Sequence, residues 1–196
     1  KMYDNELPFW TQEFIEGKGY QPSQKAIHLL VDHIGNDLSR IANEVDKVIL
    51  NLGKRTTITE DDIENFVGIS KEYNVFELQN AVGKKNLVKA MQIIQYFEGN
   101  PKAAPIQLVL PSLYSFFSKV FMLFGVQGDD KAVAAQTGIN AWFLKDYKAS
   151  ATVYGFDGVQ SALLLMHHYN LRSVGVNDTG TEDASLLKEM IYKMMM

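Results

Sequence analysis

The sequence predicts an all-α protein. Apolar residues recur at intervals of three and four along most of the 196 residues, a spacing that places them on one face of a helix. The clearest stripe runs through Leu38, Ile41, Val45, Val48 and Leu52. Glycines and short polar residues typical of helix ends separate the stripes. No convincing alternation of the kind that indicates a strand is found, so we expect helices joined by short connections.

Composition excludes several classes of function. The net charge is −4, whereas a protein that mainly binds nucleic acid is usually basic, because neutralised phosphates supply most of its affinity. The chain has no cysteine, which excludes disulfides, thiolate nucleophiles and cysteine-ligated zinc. A reducing, cytoplasmic setting fits this composition. The first residue is lysine, which suggests a piece of a longer protein.

Helix ends are readable in the first third of the chain. The stripe Ile27, Leu30, Val31 and Ile34 ends at Gly35, and Asn36 is the predicted N-cap of the next helix. Thr59 is the predicted N-cap of a short helix that ends near Gly68. Its first turn carries Glu60, Asp61 and Asp62, which the helix dipole explains better than acid–base catalysis does.

A domain boundary is predicted within SKEYNVFELQNAV, residues 70–82. Asn74 as N-cap and Glu77 three residues later form a capping box, while Tyr73 and Leu78 have the spacing of a hydrophobic staple. We expect Phe76 to be a buried anchor where the second domain begins. The predicted domains are residues 1–70 and 71–196. An ordinary interhelical turn is the alternative interpretation.

The later helices include a nearly apolar segment at residues 103–124. A membrane span requires about 20 apolar residues, but the middle of a helical bundle also needs a helix of this kind. Gln107, Pro111 and Lys119 favour the buried helix, which Pro111 would kink. Further helices are expected at about 87–99, 129–151, 157–174 and 182–196.

We find no catalytic, phosphate-binding or metal-binding motif in the sequence. None of the three Gly-Lys pairs has the glycine five residues earlier that a phosphate-binding loop requires. His28 and His33 are five residues apart, and His167 and His168 are adjacent, so neither pair suits a metal on one helix face. We therefore predict no catalytic site, metal or cofactor.

A helix-turn-helix within residues 129–148 is the alternative function from the residues alone. Ala134, Gly138 and Leu144 have the spacing of that motif, and a recognition helix would begin at Asn140. This interpretation makes the chain a stand-alone helical nucleic-acid-binding regulator. Lys145 and Lys148 are the basic residues of that helix, and Trp142 is poorly suited to reading bases.

Several segments together resemble the delta subunit of the bacterial DNA polymerase III clamp loader. They are Gly35-Asn36-Asp37-Leu38, Thr59-Glu60-Asp61, Val67-Gly68 and Tyr73-Asn74-Val75-Phe76. The later segment YNLRSVGV, residues 169–176, is also similar, although Asn170 stands where an acid is expected. The resemblance covers nearly the whole chain and is most specific in its first 82 residues.

The resemblance implies an AAA+-type helical lid at 1–70 and a helical collar at 71–196. It also implies that the chain is a component of the polymerase III holoenzyme and has no active site of its own. The implied partners are other clamp-loader subunits in the cytoplasm. The sliding clamp would be reached through a first domain outside this chain, DNA at most indirectly, and no membrane is involved. Leu38 stands where ATP-using relatives carry a phosphate-sensing arginine, which implies a lid that binds no ATP.

Contacts with neighbouring subunits would come from the collar. Aromatic residues dominate the anchors of protein interfaces. The candidate contact residues are Phe116, Phe117, Phe121, Trp142, Tyr147 and Tyr154.

Overall fold

The computed structural model describes residues 6–70, 72–101, 104–178 and 180–196. It confirms the all-α prediction. The chain divides into two compact units, Lys1–Phe76 and Glu77–Met196. Across the described residues, helices account for nearly all regular structure, and the two strands are two residues long each.

The first unit contains four helices and a small parallel strand pair. Its elements are α1 Leu7–Gly17, β1 Gln21–Pro22, α2 Gln24–Ile34, α3 Leu38–Asn51, β2 Thr57–Ile58 and α4 Glu60–Val67. Gln21 pairs with Thr57, and Pro22 pairs with Ile58. The sequence did not indicate this pair, because two residues are too short to show alternation.

The core of the first unit lies between its four helices. The predicted stripe of α3 faces inward, with Ile41, Val45 and Val48 fully buried. It meets Ile15 of α1 and Ile63 of α4 in the same cluster. Helix periodicity alone therefore identified the buried face of α3.

The cap of α3 differs from the prediction by one residue. Asp37, not Asn36, is the N-cap, and its Oδ1 accepts a hydrogen bond from the backbone N–H of Arg40 at 3.0 Å. Gly35 ends α2 with φ 71°. Asn36 and Asp37 are both good N-cap residues. Asp37 occupies the N-cap position, where its carboxylate is also stabilised by the positive end of the helix dipole.

Asp62 has a larger role than the dipole interaction expected of it. Its side chain is buried and accepts hydrogen bonds from the Arg55 guanidinium at 2.6 Å and from the Thr59 backbone N–H at 2.9 Å. Burial alone would raise the pKa of Asp62, but the hydrogen bonds from Arg55 and Thr59 outweigh it and lower the pKa. Asp62 thereby joins the start of α4 to the loop that precedes β2.

The second unit is built on six helices. They are α5 Val75–Gly83, which begins two residues before the division, α6 Leu87–Gly99, α7 Ile106–Met122, α8 Asp130–Thr137, α9 Leu144–Ser173 and α10 Asp183–Met195. Gly155, with φ 65° and ψ 173°, interrupts α9. The interruption falls between the helices expected at 129–151 and 157–174.

Helix α7 supplies the largest part of the second core. It buries a stripe of residues, which are Ile106, Val109, Leu110, Leu113, Phe116, Phe117 and Val120. Pro111 lies inside α7 on its exposed side. Among the described residues, no helix combines the length and apolarity needed to cross a membrane. The buried stripe of α7 agrees with the favoured interpretation of the apolar segment as a buried helix.

An ion cluster joins α9 to α10. Arg172 donates through Nε to Asp178 at 2.8 Å and through a terminal nitrogen to Glu189 at 2.9 Å, and its guanidinium lies 4.9 Å from the centre of the Tyr169 ring. Hydrogen bonds from Thr181 and then from Arg172 hold the pKa of Asp178 at about 2. Lys193 and then Arg172 hold the pKa of Glu189 at about 2.

These two carboxyl groups predict a loss of stability in acid. Their pKa values in the folded protein lie below the ordinary values near 4, so their contribution is fully present above pH 4 to 5 and is lost as the pH falls towards 2. Urea unfolding between pH 6 and pH 2 is expected to show this decline, and Asp178→Asn should reduce it.

The control is Glu98→Gln, which removes an exposed ion pair with Lys188 between α6 and α10. It should leave the acid decline as in the parent protein. An Asp178→Asn variant with the parent profile would contradict the assignment.

Candidate subunit interface

A row of packed aromatic rings follows the contact between α7 and α9. The ring of Phe116 lies 4.7 Å from that of Tyr147, and the ring of Phe117 lies 5.0 Å from that of Tyr154. Phe116, Phe117 and Tyr154 are buried, and Tyr147 is half-buried. Three of the predicted contact residues therefore belong to the core of the second unit and have little surface to offer a partner.

Tyr154 is a structural anchor. Its hydroxyl donates a hydrogen bond to the backbone carbonyl of Val82 in α5 at 2.9 Å, and the ammonium of Lys85 lies 4.8 Å from the ring centre. Burial raises the pKa of Tyr154. The phenol therefore stays neutral and fixes α9 against the end of α5.

Three phenylalanines beyond this row remain at the surface. The ring of Phe156 lies 5.1 Å from that of Phe121 and 5.6 Å from that of Phe124. Phe156 is 48% exposed, Phe124 is 40% exposed and Phe121 is half-buried. We call these three residues the Phe156 surface.

Only Phe121 of the Phe156 surface was among the predicted contacts. Phe124 follows it by three residues, so the spacing of one helix face could have identified it. Phe156 carries no such signal, because its position depends on the interruption at Gly155. Clustered exposed aromatic rings with no formal charge are typical of protein-interaction sites.

Trp142 is the one predicted contact residue with a largely free side chain. It is 74% exposed and lies in the turn before α9. Asn140 Oδ1 accepts a hydrogen bond from the Trp142 backbone N–H at 2.9 Å, and the Phe143 N–H donates to the Asn140 carbonyl at 2.9 Å.

The recognition helix predicted to begin at Asn140 is therefore wrong. Asn140 organises a turn instead, because its side chain competes with the backbone for hydrogen bonds, and α9 begins at Leu144. Lys148, one of the two basic residues of that predicted helix, forms an ion pair with Asp130 at 2.5 Å. Lys145 remains exposed.

Leu38 occupies the first position of α3. Its side chain is half-buried and packs against the core of the first unit, whereas Arg40 is exposed. His33, at the end of α2, is half-buried, and burial, followed by the charge of Arg40, lowers its pKa. The start of α3 therefore presents an apolar, half-buried side chain and no positive charge at position 38.

The predicted boundary residues surround the start of α5. The Asn74 side-chain amide donates to the Ser70 carbonyl at 2.7 Å, and the Tyr73 backbone N–H donates to Ser70 Oγ at 3.1 Å. Asn74 and Leu78 are buried, and Tyr73 and Glu77 are half-buried. Ser70, which sequence reasoning did not single out, thus accepts hydrogen bonds from two of these residues.

Phe76 differs from the buried anchor that we expected. It is half-buried, and its ring lies 5.9 Å from that of His28 in α2. Part of its packing is therefore with the first unit, to which it belongs.

Acidic and histidine side chains do not gather into a metal site in the part of the chain that the structure describes: no group of three or more could hold an ion. The residues that this fold brings together are aromatic and apolar. Its geometry defines a two-unit helical protein with an exposed aromatic cluster on the second unit.

Comparison with known proteins finds similarity to a clamp-loader subunit. No family model matches the chain. It is 23% identical over 178 residues to DNA polymerase III subunit delta of Bacillus subtilis (strain 168), a match that covers 89% of this chain and 49% of that protein. The chain therefore spans about half the length of this curated relative.

A solved structure shares the fold. The Bacillus subtilis DNA clamp loader delta protein (YqeN) superimposes with a TM-score of 0.60 at 20% identity, covering 100% of this chain and 57% of that one. The predicted resemblance to the delta subunit is confirmed by sequence similarity and by fold.

Phe117 in α7 and Phe124, two residues beyond the end of α7, differ in burial, which predicts different costs of truncation. Phe117→Ala should lower the free energy of unfolding by about 3–5 kcal/mol, because it opens a cavity in the core. Phe124→Ala should cost about 1 kcal/mol or less, since much of its ring is already in water. Urea denaturation monitored by circular dichroism measures both, and equal losses would contradict the division into core and surface.

Proposed function

We propose that this chain is the lid and collar portion of a clamp-loader subunit of the delta type, and that its second unit assembles with other clamp-loader subunits in the cytoplasm. The Phe156 surface is the observation that carries the proposal. The similarity to the delta subunit supplies the class of partner, and the exposed rings supply a site of contact.

The domains of this proposal follow the predicted division, with the lid at residues 1–70 and the collar at 71–196. The two compact units, which divide after Phe76, support an arrangement of this kind. Contact with the sliding clamp would require a first domain outside this sequence, so the chain alone is not proposed to open the clamp.

The proposed lid binds no nucleotide. A phosphate-sensing residue needs a fixed positive charge that reaches the nucleotide. Leu38 has none, and its side chain packs on the first core. Arg40 is two residues further along α3, about 200° around the helix axis from Leu38, so it does not replace the missing charge.

The Phe156 surface fits an assembly contact. The ring of Phe156 already contacts those of Phe121 and Phe124, so little side-chain entropy is lost when a partner covers them. Their rings are uncharged, and a buried interface centre is depleted in charge. They also extend from the packed row of α7 and α9, which gives the contact a rigid base.

The test is sedimentation velocity of this chain with the clamp-loader motor subunits of the same organism, with and without ATP. The parent chain is expected to enter a larger complex. Phe156→Ser and Phe124→Ser should each weaken association about tenfold or more, because truncation of an interface anchor costs about 2 kcal/mol.

The matched control is Tyr192→Ser, which removes an aromatic ring of similar exposure from α10. It should associate like the parent. Equal weakening by all three substitutions would mean that the Phe156 surface has no special part in assembly.

Trp142 supports a second candidate function, a contact with single-stranded nucleic acid. The turn fixed by Asn140 presents an exposed indole beside the exposed Lys145. Lys84 pairs with Asp146, the neighbour of Lys145, at 3.2 Å. Aromatic stacking with adjacent lysines is the usual means of binding single strands without sequence preference.

A fluorescence-anisotropy titration with labelled single-stranded and duplex DNA at low salt tests this function. Trp142→Ala should weaken single-strand binding about tenfold, since stacking contributes about 1–3 kcal/mol per base. Tyr114→Ala, which removes another exposed ring, is the control. Absence of binding by the parent chain would refute this candidate and leave the assembly proposal intact.

A further inference from the structure

Gly155 has a backbone conformation that residue types other than glycine rarely adopt. Its φ of 65° and ψ of 173° lie in a region that is essentially restricted to glycine. Residues 144–154 and 156–173 are helical on either side. Gly155 is therefore a break in α9 and not a bend of a regular helix.

The break explains an arrangement that an uninterrupted helix does not allow. The ring of Tyr154 lies against Phe117 of α7 at 5.0 Å, and the ring of Phe156 lies against Phe121, one turn further along α7, at 5.1 Å. Side chains two residues apart on a continuous helix point about 200° apart around the axis. One of the two rings would then face away from α7.

Both sides of the break are fixed by other contacts. Before it, the Tyr154 hydroxyl is hydrogen-bonded to Val82 of α5. After it, Arg172 is bound to Glu189 of α10. The break thus has a defined geometry, and the direction in which Phe156 points follows from it.

We propose that Gly155 is the positioning residue of the Phe156 surface: its non-helical conformation turns Phe156 onto Phe121 and Phe124 and so completes the site. This inference rests on the proposed function for its biological meaning, but its geometry can be tested without a partner. An L-residue at position 155 would restore helical backbone and rotate Phe156 away from α7. The cause would be conformational, because an added Cβ meets no atom within 4 Å.

The first experiment compares Gly155→Ala with Gly158→Ala. Gly158 is a matched control in the same helix, where an added Cβ makes only an ordinary contact, 3.4 Å from Tyr154 Cβ. Phenylalanine-selective isotope labelling reports nuclear Overhauser effects between the rings of Phe156 and Phe124. The effect is expected in the parent and in Gly158→Ala and should be lost in Gly155→Ala. Its persistence in Gly155→Ala would overturn the inference.

A D-alanine at position 155 is the second variant, because a D-residue favours positive φ. The chain has no cysteine, so a synthetic segment 151–196 can be ligated through a temporary cysteine at position 151 and then desulfurised to Ala151. The D-alanine protein should fold and keep the ring contact. If the D-alanine protein unfolds or loses the contact between the rings, Gly155 does not act through its backbone conformation. This conclusion holds whether or not the L-alanine variant folds.

Sedimentation with the motor subunits then separates the two proposals. Association that is lost with L-alanine and kept with D-alanine supports both. If the ring contact follows the stereochemistry while association does not change, the positioning role stands and the proposed interface fails. If the parent never associates, the proposed function fails, and the ring contacts alone decide the inference.

Discussion

The second unit depends on the contact between α7 and α9. Helix α7 carries an apolar stripe too long to leave in water, and Phe117 is enclosed where α9 covers it. Gly83, at the end of α5, lies so close that an added Cβ would be 2.5 Å from Ser150 Oγ and 3.0 Å from the Phe116 ring. Three helices therefore meet with no room for another side chain, and α9 has one position relative to α7.

The hydrogen bond from Tyr154 to Val82 follows from the same contact. A phenol that is taken out of water must find a partner within the protein. The end of α5 provides the Val82 carbonyl, which accepts from the Tyr154 hydroxyl as well as from the Lys85 backbone N–H. After Val120 the core no longer encloses the chain, so Phe121 is half-buried and Phe124 is exposed. The aromatic surface is thus a direct consequence of how far along α7 the core reaches.

Sequence patterns predicted the helices and their buried faces well, because periodicity reflects burial directly. The stripe of α3 and the central α7 are examples. Choices between neighbours were harder: Asp37 and Asn36 are both good caps, and Asn140 is as suitable for a turn as for a helix start. The distinction between Phe117 in the core and Phe124 at the surface was not predictable, since both continue one apolar stripe and only the tertiary packing around them separates the two. The break at Gly155 lies between two expected helices, but the sequence does not reveal the φ of this glycine and so did not place Phe156 against α7.

The shifted carboxyl groups of both units indicate structural roles and not acid–base chemistry. A general acid or base that works near neutral pH needs a pKa raised towards 7. Asp62, Asp178 and Glu189 have pKa values that are lowered instead, and each is bound to an arginine. They remain charged and hold loops and helices in place. The first unit uses Asp62 to fix the start of α4, and the second uses Arg172 to join α9 to α10. Each ion pair stabilises the unit in which it lies. In the second unit, firmly held helices reduce the cost of ordering that binding at an exposed aromatic surface would otherwise carry.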